Sequence, residues 1–435
     1  MSESSPFPGR PIQKKLSDLE VFIEANRCLY CYDAPCTRAC PTHIDVASFI
    51  AKIADGNIKG SARTILEANP MGASCARVCP VEQLCEGACV YNTQSDTPIR
   101  IGDLQRYATD HVMRNGTKLF APGTPTGKGV AIVGGGPAGL SAARDLRRFG
   151  HEVTIFEAHA ELGGLNTYGI VPFRLAADVA LWEAQQVVDL GCELHTGVRA
   201  GQDFPMESLV QDFDAVILAC GMGGVPRLGI PGEEHVWDAI AFIERAKMSG
   251  SVRELGNLVA VIGAGNTAID ALTCAKRLGS EHVTMYYRRG EAQMTAYDFE
   301  YDFAKQEGIE FRFFCAPKRV ITQSGRVTGL ELVRTVLANE ARIEILPGSE
   351  FVVPCDTVIG AIGQSRLITA IDALGVAHEG GVVRVDDGMR TSRVGVFAAG
   401  DCIFEKGSRE AMVVEAAQQG KIAARSAHEY LARKG

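Results

Sequence analysis

Eight cysteines fall between residues 28 and 89 in two runs: Cys28-x2-Cys31-x4-Cys36-x3-Cys40-Pro41, then Cys75-x3-Cys79-Pro80-x4-Cys85-x3-Cys89. Thiolates at such spacing bind zinc or iron clusters, and thiols also pair as disulfides. Disulfide staples belong to oxidising compartments. Zinc sites usually join two C-x2–4-C knuckles, whereas the first run here puts four cysteines in thirteen residues and closes on Cys-Pro. Six further cysteines (Cys192, Cys220, Cys274, Cys315, Cys355 and Cys402) stand alone in apolar or strand-like stretches and read as small core hydrophobes.

A second constellation is glycine-based. In Gly129–Glu157, a short apolar strand runs into Gly134, Gly136 and Gly139, with Pro137 and Ala138 opening a helix. A second strand, residues 152–156, ends on the acid Glu157. Gly134 permits a tight turn, Gly136 lets backbone N–H groups approach a pyrophosphate, and Gly139 lets helix and strand pack closely. The helix N-terminus faces phosphate charge, and Glu157 stands where a ribose hydroxyl would be accepted. The pattern repeats from Leu258, with Gly263 and Gly265 at the turn, Asn266 and Thr267 opening the helix, and Ala268 in the third position. This time the second strand, residues 282–287, ends in Arg288-Arg289. Arginine there suits a 2′-phosphate where an acid would hold the ribose diol, so NADPH is favoured over NADH.

The elements between these residues are helical and then linking. Val46, Phe49, Ile50 and Ile53 recur at helical spacing, and Ala62, Ile65 and Leu66 predict a second helix stopped by Asn69-Pro70. Another helix is expected over 103–113 with Leu104, Ala108 and Val112 inward, and 115–128 reads as a linker. Beyond the second glycine turn, 311–358 is strand-rich with turns at Gly325 and Gly348, and a last helix spans 411–431. Glu410 and Glu415 read as helix-start residues rather than catalysts.

At 435 residues, two to four domains are expected, and 46% hydrophobic residues are enough for substantial cores. A net charge of −8 without a basic stripe argues against nucleic acid as partner. No apolar run approaches the ~18 residues that suggest a membrane span. The opening MSESSPFPGRPIQKKL lacks the apolar core of a secretory signal, so a cytoplasmic protein is expected. In that compartment the eight cysteines read as metal or redox ligands, and the Cys-Pro closure resembles a two-cluster ferredoxin run, favouring iron–sulfur over zinc.

The stretches CLYCYDAPCTRACPTHIDVASFI, NPMGASCARVCPVEQLCEGAC and PIRIGDLQRYA resemble the amino-terminal iron–sulfur domain of dihydropyrimidine dehydrogenases. They resemble the glutamate synthase small subunit slightly more distantly. The likeness continues to the carboxyl end, without the FMN barrel or extra ferredoxin domain of the long dehydrogenase. The resemblance thus implies the separate electron-input subunit of the bacterial two-subunit enzymes. It implies an α/β fold with two Rossmann-like dinucleotide-binding domains of glutathione-reductase-like type, for FAD and NAD(P), preceded by an α-helical iron–sulfur domain. The expected boundaries are 1–127 for the helical domain, 128–250 and 369–435 for the FAD domain, and 251–368 for the NAD(P) domain.

The same resemblance implies two [4Fe–4S] clusters. Cys28, Cys31, Cys36 and Cys89 would hold one; Cys40, Cys79, Cys85 and Gln105 would hold the other, with Cys75 a nearby non-ligand. Glutamate synthase small subunits tend to carry an acid where this chain has Gln105. Gly163, Gly164, Leu165 and Arg174, in ELGGLNTYGIVPFRL, would line the flavin, although Val171-Pro172 departs from the usual Ile-Pro. Gly221 and Gly363 would mark the two strand crossing points, and Gly400-Asp401 would reach the ribityl chain. AQMTAYDFE departs from the usual Met-Pro-Ala beside the nicotinamide.

No side chain is expected to act as catalytic acid, base or nucleophile, because hydride passes between cofactors. The absence of a Cys-x-x-Cys in either nucleotide domain disfavours a disulfide reductase of the thioredoxin-reductase kind. The implied partner is an FMN-containing subunit that reduces uracil and thymine, in a heteromer such as a heterotetramer, with neither nucleic acid nor membrane involved. The alternatives are a glutamate synthase small subunit, a related NAD(P)H:ferredoxin-type electron-transfer flavoprotein, and a zinc or scaffold module joined to a flavin sensor.

Overall fold

The computed structural model describes residues 15–94, 97–338, 342–405 and 411–433. Glu410, expected at the start of the last helix, lies outside the described residues. The chain opens with helices α1 (Asp18–Asn26), α2 (Pro35–Ala39), α3 (Val46–Ala54), α4 (Ile58–Ala68), α5 (Gly72–Val78) and α6 (Ile101–Arg114). Next come β1 (Gly129–Val133), α7 (Pro137–Arg148), β2 (Glu152–Glu157), α8 (Leu165–Tyr168), α9 (Ala177–Val188), β3 (Glu193–Thr196), α10 (Met206–Asp212) and β4 (Ala215–Leu218). A second series follows: β5 (Val236–Asp238), α11 (Ala239–Ser249), β6 (Leu258–Ile262), α12 (Asn266–Arg277), β7 (His282–Tyr287), α13 (Asp298–Gln306) and β8 (Glu310–Phe313). It continues through β9 (Cys315–Gln323), β10 (Arg326–Leu337), β11 (Ile343–Ile345), β12 (Phe351–Val353) and β13 (Thr357–Gly360). The chain closes with α14 (Ile368–Ala373), β14 (His378–Glu379), β15 (Val382–Val383), β16 (Val396–Ala398) and α15 (Val413–Arg433).

Packing divides the described residues into two compact units. Of the described residues, one takes 15–167, 177–222 and 366–433; the other takes 168–176 and 223–365. The leading helices and the first dinucleotide fold therefore share a unit.

In the first unit the leading helices form for local reasons. Ser17 and Glu20 cap α1 reciprocally, Glu20 accepting from the Ser17 N–H at 2.7 Å and Ser17 Oγ from the Glu20 N–H at 3.3 Å. Asp45 caps α3 and Asn57 caps α4, each accepting from a backbone N–H three residues on. The α3 stripe of Val46, Phe49, Ile50 and Ile53 is buried, as are Ile65 of α4 and Leu104, Ala108 and Val112 of α6. Helix α4 ends where Pro70 forbids continuation, and its last carbonyls are served from elsewhere in the unit. Arg144 of α7 donates to the Leu66 and Glu67 carbonyls, and Lys421 of α15 to that of Ala68. Cations at a helix C-terminus complement its negative dipole end, so this contact joins the leading helices to the nucleotide fold.

That fold is a parallel sheet in the order β16-β4-β1-β2-β3. Helices α7 and α15 meet closely, because a Cβ at Gly420 would stand 2.1 Å from the Ala138 carbonyl oxygen. The stretch 115–128 lacks regular structure, as a linker should, yet it is pinned. Phe120 lies under the guanidinium groups of Arg63, Arg144 and Arg148 at 5.7, 5.8 and 5.0 Å.

The second unit holds a parallel sheet in the order β5-β13-β6-β7-β8, with an antiparallel group of β9, β10, β11 and β12. Gly325 (φ +75°) and Gly348 (φ +74°) take left-handed conformations at its turns. No helix of the described residues is long and apolar enough to cross a membrane.

Candidate cofactor sites

The turn after β1 is built as the glycine spacing requires. Gly134 has φ +105°, and a Cβ there would lie 2.3 Å from the Ala219 carbonyl oxygen. A Cβ on Gly139 would lie 1.9 Å from the Gly134 oxygen, so α7 seats against the turn only with glycine at this position. Gly136 is the N-cap of α7, and a Cβ on Gly164 would stand 2.9 Å from the Gly136 Cα. The backbone around Gly163 (φ +109°) and Gly164 (φ +54°) thus runs alongside the phosphate-type turn; Leu165 then opens α8.

Glu157 closes β2 with its carboxylate already ordered. It accepts from the Gly135 N–H at 2.8 Å and the His159 N–H at 2.8 Å, with the His159 ring 3.2 Å away. Burial works to raise its pKa, but these hydrogen bonds outweigh it and hold the carboxylate below its usual range. Across the sheet, Gly221 (φ +65°) follows β4 and Gly400 (φ +79°) follows β16. The Gly400 N–H donates to Gln419 of α15, and Arg366 donates to the Asp401 carbonyl. Burial pushes the Asp401 carboxyl up, with Arg366 opposing. A cradle that excludes Cβ atoms, a helix N-terminus and an anchored acid fit FAD, whose pyrophosphate and ribose need those groups.

The second glycine turn has the same construction inside the other unit. Gly263 has φ +137°, a Cβ there would sit 2.2 Å from the Ala361 oxygen, and Gly265 caps α12. Asn266 accepts from the Tyr297 N–H at 3.0 Å, and the Thr295 and Ala296 N–H groups donate to the Ala264 carbonyl. The divergent Met294–Tyr297 segment is thereby docked on the turn, next to Thr267. Gly363 (φ +106°) follows β13. At the end of β7, Arg288 is exposed, and Arg289 is partly buried with a buried Nε that has no hydrogen-bond partner among the described residues. A buried orphan guanidinium N–H fits an anionic group. Arg174, expected beside the flavin, is committed elsewhere: it bridges Asp270 at 3.2 Å and Glu300 at 2.6 Å.

The leading cysteines lie close enough for their thiols to influence one another. Cys28 feels Cys31 and Cys89, and Cys36 feels Cys28 and Cys89. Cys79 feels Cys75, Cys85 and Cys40, and Cys85 feels Cys40 and, less strongly, Cys36 of the first run. Burial raises the Cys28 and Cys85 thiols and pushes Cys36 up to about 11. For Cys79 the neighbouring Cys75 thiol leads, with burial next. A bound cationic centre favours the thiolate form of such buried sulfurs, so clustered cysteines of this kind fit an iron–sulfur donor set. Among the described residues no three His, Cys, Asp or Glu side chains converge closely enough for a single metal ion. Gln105 of α6 is buried, and its Nε2 donates to the Gly72 carbonyl at 2.7 Å, which turns the amide oxygen away from that contact. Cys75 is 3% exposed and accepts from Asn69 Nδ2 at 3.1 Å.

Two relationships were not anticipated. Glu183 of α9 accepts from the Ala73 and Ser74 N–H groups at 2.7 and 3.0 Å and from the Ser74 hydroxyl. Its signal was an acid inside the buried α9 stripe of Val179, Ala180, Ala184 and Val187. Cys402, expected as an isolated core residue, lies with its Sγ 3.5 Å from the Leu218 carbonyl oxygen, in the apolar cluster against which Cys220 also packs.

Residues 9–117 match the family described as dihydropyrimidine dehydrogenase domain II, 4Fe-4S cluster. Residues 128–420 match the pyridine nucleotide-disulphide oxidoreductase family. The chain belongs to the pyridine nucleotide-disulphide oxidoreductases. It is a member that carries a 4Fe-4S domain ahead of its flavin and NAD(P) folds, and an oxidoreductase. Among similar oxidoreductases, the glutamate synthase [NADPH] small chain of Escherichia coli K12 is 32% identical over 96% of this chain and 95% of its own. The NAD-dependent dihydropyrimidine dehydrogenase subunit PreT of the same organism is 34% identical over 94% of this chain and 93% of its own. The NADP(+)-dependent formate dehydrogenase subunit beta of Moorella thermoacetica is 34% identical over 92% of this chain, which spans 60% of that longer relative. In fold, this oxidoreductase is similar to Lactococcus lactis thioredoxin reductase, at TM-score 0.57 and 21% identity over 70% of this chain and 99% of that one. It is also similar to Mycobacterium tuberculosis FprA in complex with NADPH, at TM-score 0.56 and 18% identity over 70% of this chain and 85% of that one.

Proposed function

We propose that the chain is the electron-input subunit of a cytoplasmic, two-subunit dihydropyrimidine dehydrogenase. When bound, FAD accepts hydride from NAD(P)H and two [4Fe–4S] clusters carry electrons singly toward an FMN-containing partner that reduces uracil and thymine. Gly134, Gly136 and Gly139 hold the flavin pyrophosphate side, with Pro137 and Ala138 at the helix N-terminus and Glu157 on the ribose. Gly163, Gly164 and Leu165 flank the flavin, with Gly221, Gly400 and Asp401 across the sheet. Gly263, Gly265, Asn266 and Thr267 hold the nicotinamide dinucleotide beside Gly363, and Arg288 and Arg289 take a 2′-phosphate. Cys28, Cys31, Cys36 and Cys89 hold one cluster; Cys40, Cys79, Cys85 and Gln105 hold the other. Arg174 is left out, since its guanidinium is already bound by two carboxylates.

The observation that carries this reading is the company Gln105 keeps. A neutral amide, fixed through Gly72 O, stands on a helix packed against α5, which carries Cys75 and ends at Cys79, in the same compact unit as the Gly134 cradle. A second reading, the small subunit of a glutamate synthase, is supported by an equally long match to that relative. The partner decides between them. Affinity purification from the native host should recover an FMN protein, and the two polypeptides together, but neither alone, should reduce uracil with NADPH or NADH. Recovery of a glutamine-dependent synthase subunit, or full uracil reduction by this chain alone, would overturn the proposal.

A further inference from the structure

Gly163 donates its N–H to the Gly135 carbonyl at 2.8 Å, inside the first unit, and α8 follows at once. The next stretch, Tyr168–Ala176 (YGIVPFRLA), packs with the second unit, and α9 belongs to the first again. The stretch is anchored by helices of the second unit. Val171 is fully buried in that unit's core, and Lys247 of α11 donates to the Ile170 carbonyl at 2.8 Å. The Arg277 guanidinium of α12 stands 4.3 Å from the centre of the Phe173 ring. Arg174 then spans two helices, reaching Asp270 of α12 at 3.2 Å and Glu300 of α13 at 2.6 Å.

Both acids stand close to the second glycine turn. Asp270 is about one turn into α12, which starts at the Gly265 cap. Glu300 is in the first turn of α13, just after the Met294–Tyr297 segment that docks on the same glycine turn. The side chains of Arg174, Asp270 and Glu300 are 10%, 9% and 2% exposed. A buried ion pair adds little net stability, yet removing one member strands the charge of the other in a dry site, so the arrangement resists displacement.

We propose that Arg174 is a positioning residue for hydride transfer: it fixes the stretch that leaves the flavin-flanking glycines to the two helices built around the nicotinamide turn. The proposal rests on the flavin and nicotinamide sites proposed for this chain, and holds whichever partner receives the electrons. Arg174 acts through Asp270 and Glu300, which occupy its guanidinium. Without it those carboxylates lose their shared cation, residues 168–176 loosen, and the backbone at Gly163 and Gly164 loses its fixed exit.

The test uses full-length, flavin-loaded protein under anaerobic conditions, with Arg174→Gln, Arg174→Lys and Glu300→Gln beside wild type. Hydrogen exchange on the oxidised proteins, without nicotinamide, reads the anchorage directly. Amides of 168–176 should exchange several-fold faster in Arg174→Gln, while those of 129–139 and 258–269 keep wild-type rates. On rapid mixing with NADPH or NADH, whichever reduces wild type faster, Arg174→Gln should keep its flavin and its affinity for the oxidised nicotinamide. Its limiting rate of flavin reduction should fall about ten-fold or more, as small displacements of reacting atoms do. Arg174→Lys keeps the charge and should recover part of both effects, and Glu300→Gln should show both in smaller measure. Those two variants carry the same test should Arg174→Gln fail to fold. Weaker nicotinamide affinity with an unchanged limiting rate would limit Arg174 to a structural role and overturn the proposal, as would wild-type exchange over 168–176. Either result leaves the proposed electron input intact, whereas wild-type flavin that neither NADPH nor NADH reduces would overturn both.

Discussion

The Glu183 carboxylate accepts both the backbone N–H and the hydroxyl of Ser74, at the start of the helix that carries Cys75 and ends at Cys79. An acid from the flavin-binding fold therefore anchors a cysteine-bearing helix in the same unit. Burial raises its pKa to about 7, with the hydrogen bonds from Ser74 and Ala73 opposing.

A folded-state pKa above the unfolded value means that the native protein holds the proton more tightly. The resulting stability is present below the ordinary carboxylate pKa and is lost as pH rises through about 7. Glu183→Gln keeps an acceptor for the two N–H groups and a donor for the Ser74 hydroxyl. Its melting temperature should therefore vary less than that of wild type between pH 5 and pH 8, roughly by the few degrees that ~1–3 kcal/mol implies. Glu183→Ala leaves buried donors unpaired and should cost about 2–4 kcal/mol at every pH. Parallel pH–melting curves for wild type and Glu183→Gln would contradict this account.

The two glycine turns should fail independently. A methyl on Gly139 meets the Gly134 backbone and has nowhere to go, so Gly139→Ala should purify with well under half the flavin of wild type. Gly263→Ala meets the Ala361 backbone in the other unit; it should keep its flavin and lose reduction by the nicotinamide. Flavin absorbance per polypeptide and the rate of bleaching by NADPH measure the two effects.

Arg289 carries a buried guanidinium N–H with no hydrogen-bond partner among the described residues, at the strand end where dinucleotide folds that select NAD place an acid. Arg289→Ala should lower kcat/KM for NADPH about ten-fold or more and leave NADH nearly unchanged, since a lost charge-assisted contact is worth about 1.5–3 kcal/mol. An equal loss for both would mean that the residue does not face the 2′-phosphate.

Much of this was legible in the sequence, because glycine is informative where the backbone allows nothing else. The spacing of Gly134, Gly136 and Gly139 dictated the turn, and the period of Val46, Phe49, Ile50 and Ile53 dictated α3. Contacts that depend on distant segments were not legible. Cys402 comes to rest beside the Leu218 carbonyl only because β4 and β16 become neighbours in the sheet. Arg174 sits in a motif that suggested a flavin contact, but Asp270 and Glu300 come from α12 and α13 and claim it. Gln105 would pass for a solvated helix residue by pattern alone, yet it lies beside the buried Leu104 and is itself buried.

The central claim is that reducing equivalents delivered by NADPH leave through iron–sulfur clusters held by the leading cysteines. It is tested most directly by electron paramagnetic resonance of anaerobically purified protein before and after NADPH, with iron and acid-labile sulfide counted on the same sample. The account predicts sulfide in amounts near those of iron and a reduced-cluster signal that grows with NADPH. Cys85→Ala should lose about half of the iron and sulfide. Flavin that bleaches normally in a protein containing no acid-labile sulfide would contradict it.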